Sequence, residues 1–278
     1  MMVTDIGVLR DRMRRAAEVR KLMGQLWNEY LTRNPRQFDL IPHPDSDTQW
    51  TLVIRTVEPL PVRISTLFGE WLYLLRAALD GTIHYAAVRD SGQNPPPNER
   101  NLYFPIKDDP AKFDSSDHRR KLAALSDVTF TSLRCVQPFN AEPDHKANPL
   151  WWIDELARID RHRCGHALAA HIVKARIGIQ PPVVLVARHL PESATRRIPI
   201  DETAPMPLLD LEAPAEFDEQ TLRDHIDISD AAENALDVTE WVREASPPMS
   251  RTDLDKRMAF CEQFVGDEII APILDGEV

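Results

Sequence analysis

This chain is poor in glycine, with 9 in 278 residues, and none of them sits in a loop that cradles a phosphate or a dinucleotide. P-loop and Rossmann nucleotide chemistry is thereby excluded, and no Gly-x-Ser-x-Gly elbow presents a nucleophile. Cysteine is scarcer still. Cys135, Cys164 and Cys261 are odd in number and far apart, which excludes a disulfide framework, a zinc knuckle and a redox pair. They fit reduced thiols in a cytoplasm. No apolar run approaches the roughly 18 residues needed to span a bilayer, and the opening MMVTDIGVLRDRMRR lacks the apolar core of a signal peptide. Internal repeats, long coiled-coil heptads and low-complexity tracts are missing too. The expectation is a cytoplasmic protein with no membrane partner and no cofactor.

What is present is globular in kind. A hydrophobic content of 43% beside 28% charged residues is enough to bury a core and too apolar for a disordered chain. The net charge of −11 is unevenly spread. From Asp201 onward 21 residues are acidic and 5 basic, whereas the first 200 hold 28 basic and 23 acidic. The acidic part is expected to pack around or beside the basic part, since opposite charge favours their approach.

Helical periodicity marks a long first helix over 4–33, where Leu9, Met13, Ala16, Met23, Leu26 and Tyr30 share a face. Thr4 and Asp5 are suitable caps, and Asn34-Pro35 ends the helix. Its other face carries Arg10, Arg12, Arg14, Arg15, Arg20 and Lys21, which reads as a solvated face, a partner for acidic surface or a phosphate-binding stripe. A hairpin follows from 38–41 and 50–54 around HPDSD. The next helix, 62–89, is apolar on nearly all sides and should be central. LYFPI reads as an edge strand or buried extended segment, and two modest helices fit 115–136. Asn148-Pro149 opens a further helix, whose continuation past Gly165 is open. Beyond 170, short β-branched stretches between prolines predict a small, mostly antiparallel sheet, and a helix capped by Ser250 closes the chain. The fold class is α+β in one domain over 1–278, with a helical half 1–169, a sheet-rich acidic half 170–248 and a closing helix 249–265.

Two polar lines run through these helices in steps of four, a spacing that stacks side chains on one helix face. Arg76, Asp80 and His84 form the first, in WLYLLRAALDGTIHYAAV. Arg158, His162 and His166 form the second, in PLWWIDELARIDRHRCGHALAA, with Asp154 one turn ahead. Asp160, Arg161 and Arg163 make the end of that helix rich in polar groups, and it is expected to aim at the face presenting Asp80. Ionisable groups in apolar helices mark either a shared polar core or a site.

The succession LRAALD, YFPI, QPF and LWWIDELARIDRHR resembles a family of uncharacterised bacterial proteins, in which an LR-x-ALDH helix precedes FPI, QP and a helix ending in DKHR. The likeness covers roughly 70–165 and departs at Gly81, where His is usual, and at Arg161, where Lys is usual. It implies a shared fold, singles out Arg76, Asp80, Asp160, Arg161, His162 and Arg163, and implies no particular chemistry.

Three readings of these residues stay open. In the first, the chain is a binding or interaction protein whose Arg/Asp/His cluster fixes how helices meet, with a protein partner or a second copy as ligand. In the second, Arg161-His162-Arg163-Cys164-Gly165-His166 resembles the Arg-polar-x3-His motif of metal-independent ribonucleases of the HEPN type. Arg161 would hold the scissile phosphate of RNA and His166 would transfer the proton. In the third, His162 and His166 share a helix face and take a metal with His84 and Asp80, similar in spacing to the three-histidine bundles of DNA-damage-inducible metal proteins. Nearby Arg76, Arg158 and Arg161 would oppose a divalent cation.

Overall fold

The computed structural model describes residues 6–162, 168–174, 176–190, 197–228 and 233–275. In chain order the elements are α1 (Ile6–Thr32), β1 (Arg36–Pro42), β2 (Gln49–Thr56), α2 (Val62–Ser91), α3 (Pro110–Phe113), α4 (Ser116–Lys121), α5 (Asp127–Cys135) and α6 (Pro149–His162). They continue with β3 (Leu168–Lys174), β4 (Gly178–Ile179), β5 (Val184–Arg188), β6 (Ile198–Pro199), β7 (Met206–Glu212) and α7 (Glu219–Asp224). The last are β8 (Ile226–Asp227), β9 (Glu233–Val238), α8 (Thr239–Glu244), α9 (Leu254–Gln263) and α10 (Ala271–Asp275), with a π-helical stretch Phe264–Ile270 joining α9 to α10. This is the α+β composition expected from the sequence.

The chain gathers into two compact units that do not follow the expected halves 1–169 and 170–248. One comprises 1–25, 62–167 and 240–278, and the other 26–61 and 168–239. The hairpin β1–β2 leaves the helical half because its partner strand is β7, antiparallel with Leu52 opposite Leu209 and Trp50 opposite Leu211. The charge follows the same division. The segment 240–278, with 9 acidic and 4 basic residues, returns to the unit that holds the arginine-rich start of α1.

The helical unit is organised by α2, from which Ile64, Leu67, Phe68, Trp71, Leu72, Leu75, Leu79 and Ile83 are all buried. Each large apolar side chain removed from water contributes about 1.5–3 kcal/mol before entropy is counted. These residues recur at spacings of three and four, so one broad face is buried, whereas Val62, Arg63, Thr66 and Tyr73 are exposed and the expected apolar surround on nearly all sides is not what forms. α1 approaches closely at Gly81, where a Cβ would stand 2.6 Å from Leu9 Cδ2. There Arg12 Nη1 also donates to the Ala77 carbonyl at 2.6 Å. Glycine at 81 therefore has a packing reason. α6 adds Leu150, Trp152, Ile153 and Leu156 to the core, and its start is as expected, with Asn148 Oδ1 accepting the Leu150 N–H at 2.8 Å. Trp152 stacks on Trp241 at 5.6 Å, and the buried Arg257 guanidinium lies 4.7 Å from the Trp241 ring.

α9 starts later than expected, at Leu254, because Asp253 and not Ser250 caps it by accepting the Lys256 N–H. The caps foreseen for α1, Thr4 and Asp5, lie outside the described residues. LYFPI forms no strand; it runs extended with Phe104 buried.

Within this unit Arg20 of the α1 stripe serves the acidic segment, while Arg14 and Arg15 pair with Asp11, Glu18 and Glu70. Arg20 Nε lies 3.1 Å from both carboxylate oxygens of Glu262, its Nη1 lies 2.7 Å from Asp255, and Trp71 Nε1 donates to Glu262 at 2.9 Å. Burial raises the Glu262 pKa, and the Trp71 hydrogen bond and Arg20 charge oppose that rise without cancelling it. At the far end of α2, Asp90 accepts the Ser126 N–H at 2.9 Å and the Thr129 hydroxyl at 2.6 Å. Burial works to raise its pKa, and these hydrogen bonds outweigh it.

The second unit holds antiparallel sheets of four (β1-β2-β7-β5), three (β6-β3-β9) and two strands (β4-β8). Leu40, Leu52, Ile54, Leu208, Leu209 and Leu211 join one core, while Arg55 pairs with Asp39 outside it. The edge strand β5 exposes Val184, Leu185 and Val186, and a bulge at Leu185/Ala187 after Pro181-Pro182 guards it against further pairing.

Replacing Glu262 by Ala should cost about 2–4 kcal/mol in urea unfolding, because Arg20 and the Trp71 N–H lose their acceptor in a mostly buried place. The double change Arg20→Met with Glu262→Leu should cost less than that single one. A second expectation concerns His118, buried against Phe113 with Nδ1 2.7 Å from the Phe113 carbonyl. Burial lowers its pKa, so the folded chain binds a proton less readily than the unfolded one. Stability from this group is complete above about pH 6.5 and declines as the pH falls below it. Unfolding of His118→Gln, measured from pH 7 to 5, should show a shallower decline than the wild type.

Candidate functional site

The first polar line lies on α2 and meets α6 within the helical unit. Arg76 is the centre: its guanidinium lies 3.6 Å from Asp80 on its own helix and 3.4 Å from Asp154 on α6. The Arg76 side chain is 18% exposed, while Asp80 and Asp154 are 42% and 43% exposed. One cation is thus shared by two carboxylates that stay open to water. Arg76 Nη1 is buried and makes no hydrogen bond among the described residues, so its link to Asp154 is an ion pair at longer range. Asp80 has a second task. Its Oδ1 accepts the Phe104 N–H at 2.8 Å, which fastens the extended LYFPI segment to α2.

His84 continues the line by spacing but joins a different partner. Its Nε2 lies 3.4 Å from Glu99 on the loop after α2. The cluster foreseen as a buried Arg/Asp/His set is therefore an Arg76–Asp80–Asp154 triplet, half exposed, with His84 paired beside it.

The second line does not join the first. α2 and α6 run antiparallel: Asp154 meets Arg76, and the Asp160 carboxylate packs where a Cβ on Gly69 would stand, 2.8 Å from Oδ2. Gly69 is what admits that carboxylate. Asp80 is about 16 Å along α2 from this position at 1.5 Å per residue. Asp160, Arg161 and His162 are consequently at the opposite end of the helix pair from Asp80, against the expectation that they face Asp80. Arg158 is exposed and bonded to Glu155 on its own helix, a hydrogen bond that raises its pKa. Arg161 Nε donates back to the Ala157 carbonyl at 3.2 Å, and Arg161 and His162 are both exposed.

α6 ends at His162, and Arg163, Cys164, Gly165 and His166 lie outside the described residues. Arg161 therefore stands in the last turn of a helix, where the carbonyl dipoles favour cations and oppose a phosphate. Among the described residues, no group of three His, Cys, Asp or Glu side chains is arranged to hold a metal ion. Nor is any helix among them long and apolar enough to cross a membrane.

Two residues of this face were not singled out from the sequence. Tyr73, 69% exposed, precedes Arg76 by one turn, and Tyr103, 42% exposed, adjoins the residue whose N–H Asp80 holds. The signal for Tyr73 was available: spacings of three and seven put it on the face of Arg76 and Asp80. Tyr103 had none, because only the Asp80–Phe104 hydrogen bond brings its segment here. Compared with protein-family models, curated proteins and solved structures, the chain shows no significant match.

Asp80→Ala removes both the ion pair and the acceptor for the Phe104 N–H, and should lower unfolding stability by about 1–2 kcal/mol. Asp80→Asn keeps a carbonyl acceptor in place and should cost about half as much. Denaturant melts of the two variants check the order.

Proposed function

We propose that this chain is an interaction protein whose recognition surface is the α2 face carrying Tyr73, Arg76 and Asp80, together with Tyr103 of the LYFPI segment and Asp154 of α6. The observation that carries the reading is the pair of half-exposed carboxylates held around one mostly covered guanidinium, with exposed Tyr73 one turn before Arg76 and exposed Tyr103 next to the residue whose N–H Asp80 holds. Two carboxylates against one guanidinium leave one negative charge in excess. Exposed tyrosine rings beside it offer apolar area and π faces. Such a surface suits a lysine or arginine side chain of a partner protein, and aromatic residues next to charge are frequent centres of binding energy. Arg76 acts here as a positioning residue, holding both carboxylates outward while its own side chain stays packed.

The test uses labelled decapeptides, one rich in Lys and Arg and one rich in Asp and Glu, followed by fluorescence anisotropy. The basic peptide should bind. The double variant Asp80→Asn with Asp154→Asn, and separately Tyr73→Ala, should weaken it about tenfold or more. A control that removes the same charge elsewhere, Asp45→Asn with Asp47→Asn in the β1–β2 loop, should change it far less. Equal loss in both double variants would mean that only net charge attracts the peptide, and would overturn the reading.

A further inference from the structure

Val62 and Tyr73, 80% and 69% exposed, are the two most exposed large apolar side chains among the described residues, and both lie on α2. With Thr66, Asp80 and His84 they recur at steps of four and seven, which makes one stripe along the helix. The stripe is evenly spaced about Tyr73, with Thr66 and Asp80 seven residues to either side and Val62 and His84 eleven. It runs between two helices that are both antiparallel to α2. On one side α1 meets Glu70 through Arg15, Ala77 through Arg12 and Gly81 through Leu9. On the other side α6 meets Gly69 through Asp160 and Arg76 through Asp154. From Val62 to His84 the stripe is about 33 Å long at 1.5 Å per residue. With a helix about 9 Å away on each side, this face approaches the roughly 800 Å² per partner that a stable interface buries.

The flanks repeat the symmetry of the stripe. Val8 of α1 is exposed and adjoins Leu9, at the level of Gly81 on α2, about as far beyond Tyr73 as Val62 lies before it. Arg158 of α6 is exposed and shares a helix face with Asp154, four residues away. Its place on α6, between Asp154 and Asp160, sets it between the levels of Gly69 and Arg76, just before Tyr73. Asp154 lies just after Tyr73, at the level of Arg76. A cation and a carboxylate in excess thus stand on opposite sides of one level.

We infer, resting on the recognition face proposed above, that a second copy of this chain covers the stripe, its α2 running antiparallel across a two-fold axis at Tyr73. Such an axis sets α1 against α1 and α6 against α6, and every contact is made twice. The two Tyr73 rings meet on the axis. Val8 of one copy comes to the level of Val62 of the other, so the exposed valines cover each other. Arg158 of one copy comes to within about 3 Å, along the helix, of the level of the other copy's Asp154. There it answers the negative charge that Arg76 leaves over. A single chain carries both the carboxylate in excess and the cation that meets it, at mirrored levels, which favours a second copy over an unrelated partner.

Sedimentation velocity of the full chain over the micromolar range should show the mass rising from the monomer toward twice that value, less so in high salt. Arg158→Glu sets like charge against Asp154, and Tyr73→Ala removes the ring on the axis; each should weaken self-association about tenfold or more with the thermal midpoint kept. In a Cys135→Ser, Cys164→Ser background, Tyr73→Cys should give a disulfide-linked dimer under mild oxidation, because the axis passes between its two copies. Thr131→Cys, exposed on α5, should not. The basic decapeptide should shift dimer to monomer. A chain that stays monomeric throughout and still binds that peptide overturns the dimer and leaves the recognition face standing, whereas one that does neither overturns both. Association at wild-type strength in folded Arg158→Glu and Tyr73→Ala, or a Thr131→Cys cross-link as fast as that of Tyr73→Cys, also overturns the dimer.

Discussion

The burial of one broad face along the whole of α2 is the constraint on which the helical unit depends. Its twelve buried residues recur at spacings of three and four and form one broad face, so other helices must cover that face. α1, α6 and the α9–α10 segment do so, each drawn from a different part of the chain. Close approach is admitted at two glycines, Gly81 beneath Leu9 and Gly69 beneath the Asp160 carboxylate. Polar groups at the edge of that buried face fall on the seams between helices, where they must find a partner or reach water. Arg76, Asp80 and His84 lie on such seams.

Charge is used differently inside and at the rim. Glu262 sits between Arg20 and the Trp71 N–H, mostly away from water, and joins three helices that are distant in sequence. An ion pair of that kind adds little net stability over an apolar replacement, but it penalises any arrangement that leaves one partner alone. Arg76 with Asp80 and Asp154 is wetter and looser, and leaves carboxylate oxygens available. The first arrangement specifies packing, and the second leaves a surface with chemistry to offer.

Much of the helical architecture was legible in the sequence. α1, α2, α6 and the β1–β2 hairpin stand within a few residues of their expected bounds, because periodicity, Asn148-Pro149 and Asn34-Pro35 are local signals. The short elements α7, α8 and β9 were not foreseen, since each depends on packing and not on a strong pattern of its own. The site was legible in part. Arg76, Asp80 and Asp154 were visible as polar residues in apolar helices, but their grouping was not. A spacing of four says that residues share a face, and says nothing of which helix that face meets.

The sequence by itself determined the helical faces, the largely apolar character of α2 and the antiparallel character of the strands, because each follows from neighbours within a few residues. The tertiary structure alone decided that β1 and β2 pair with β7 and that the acidic 240–278 segment returns to the arginines of α1. It also decided that α2 and α6 run antiparallel, so that Asp154 and not His162 meets Arg76. These are choices among partners far apart in the chain. They are settled by which packing buries the most apolar surface while leaving no charge stranded.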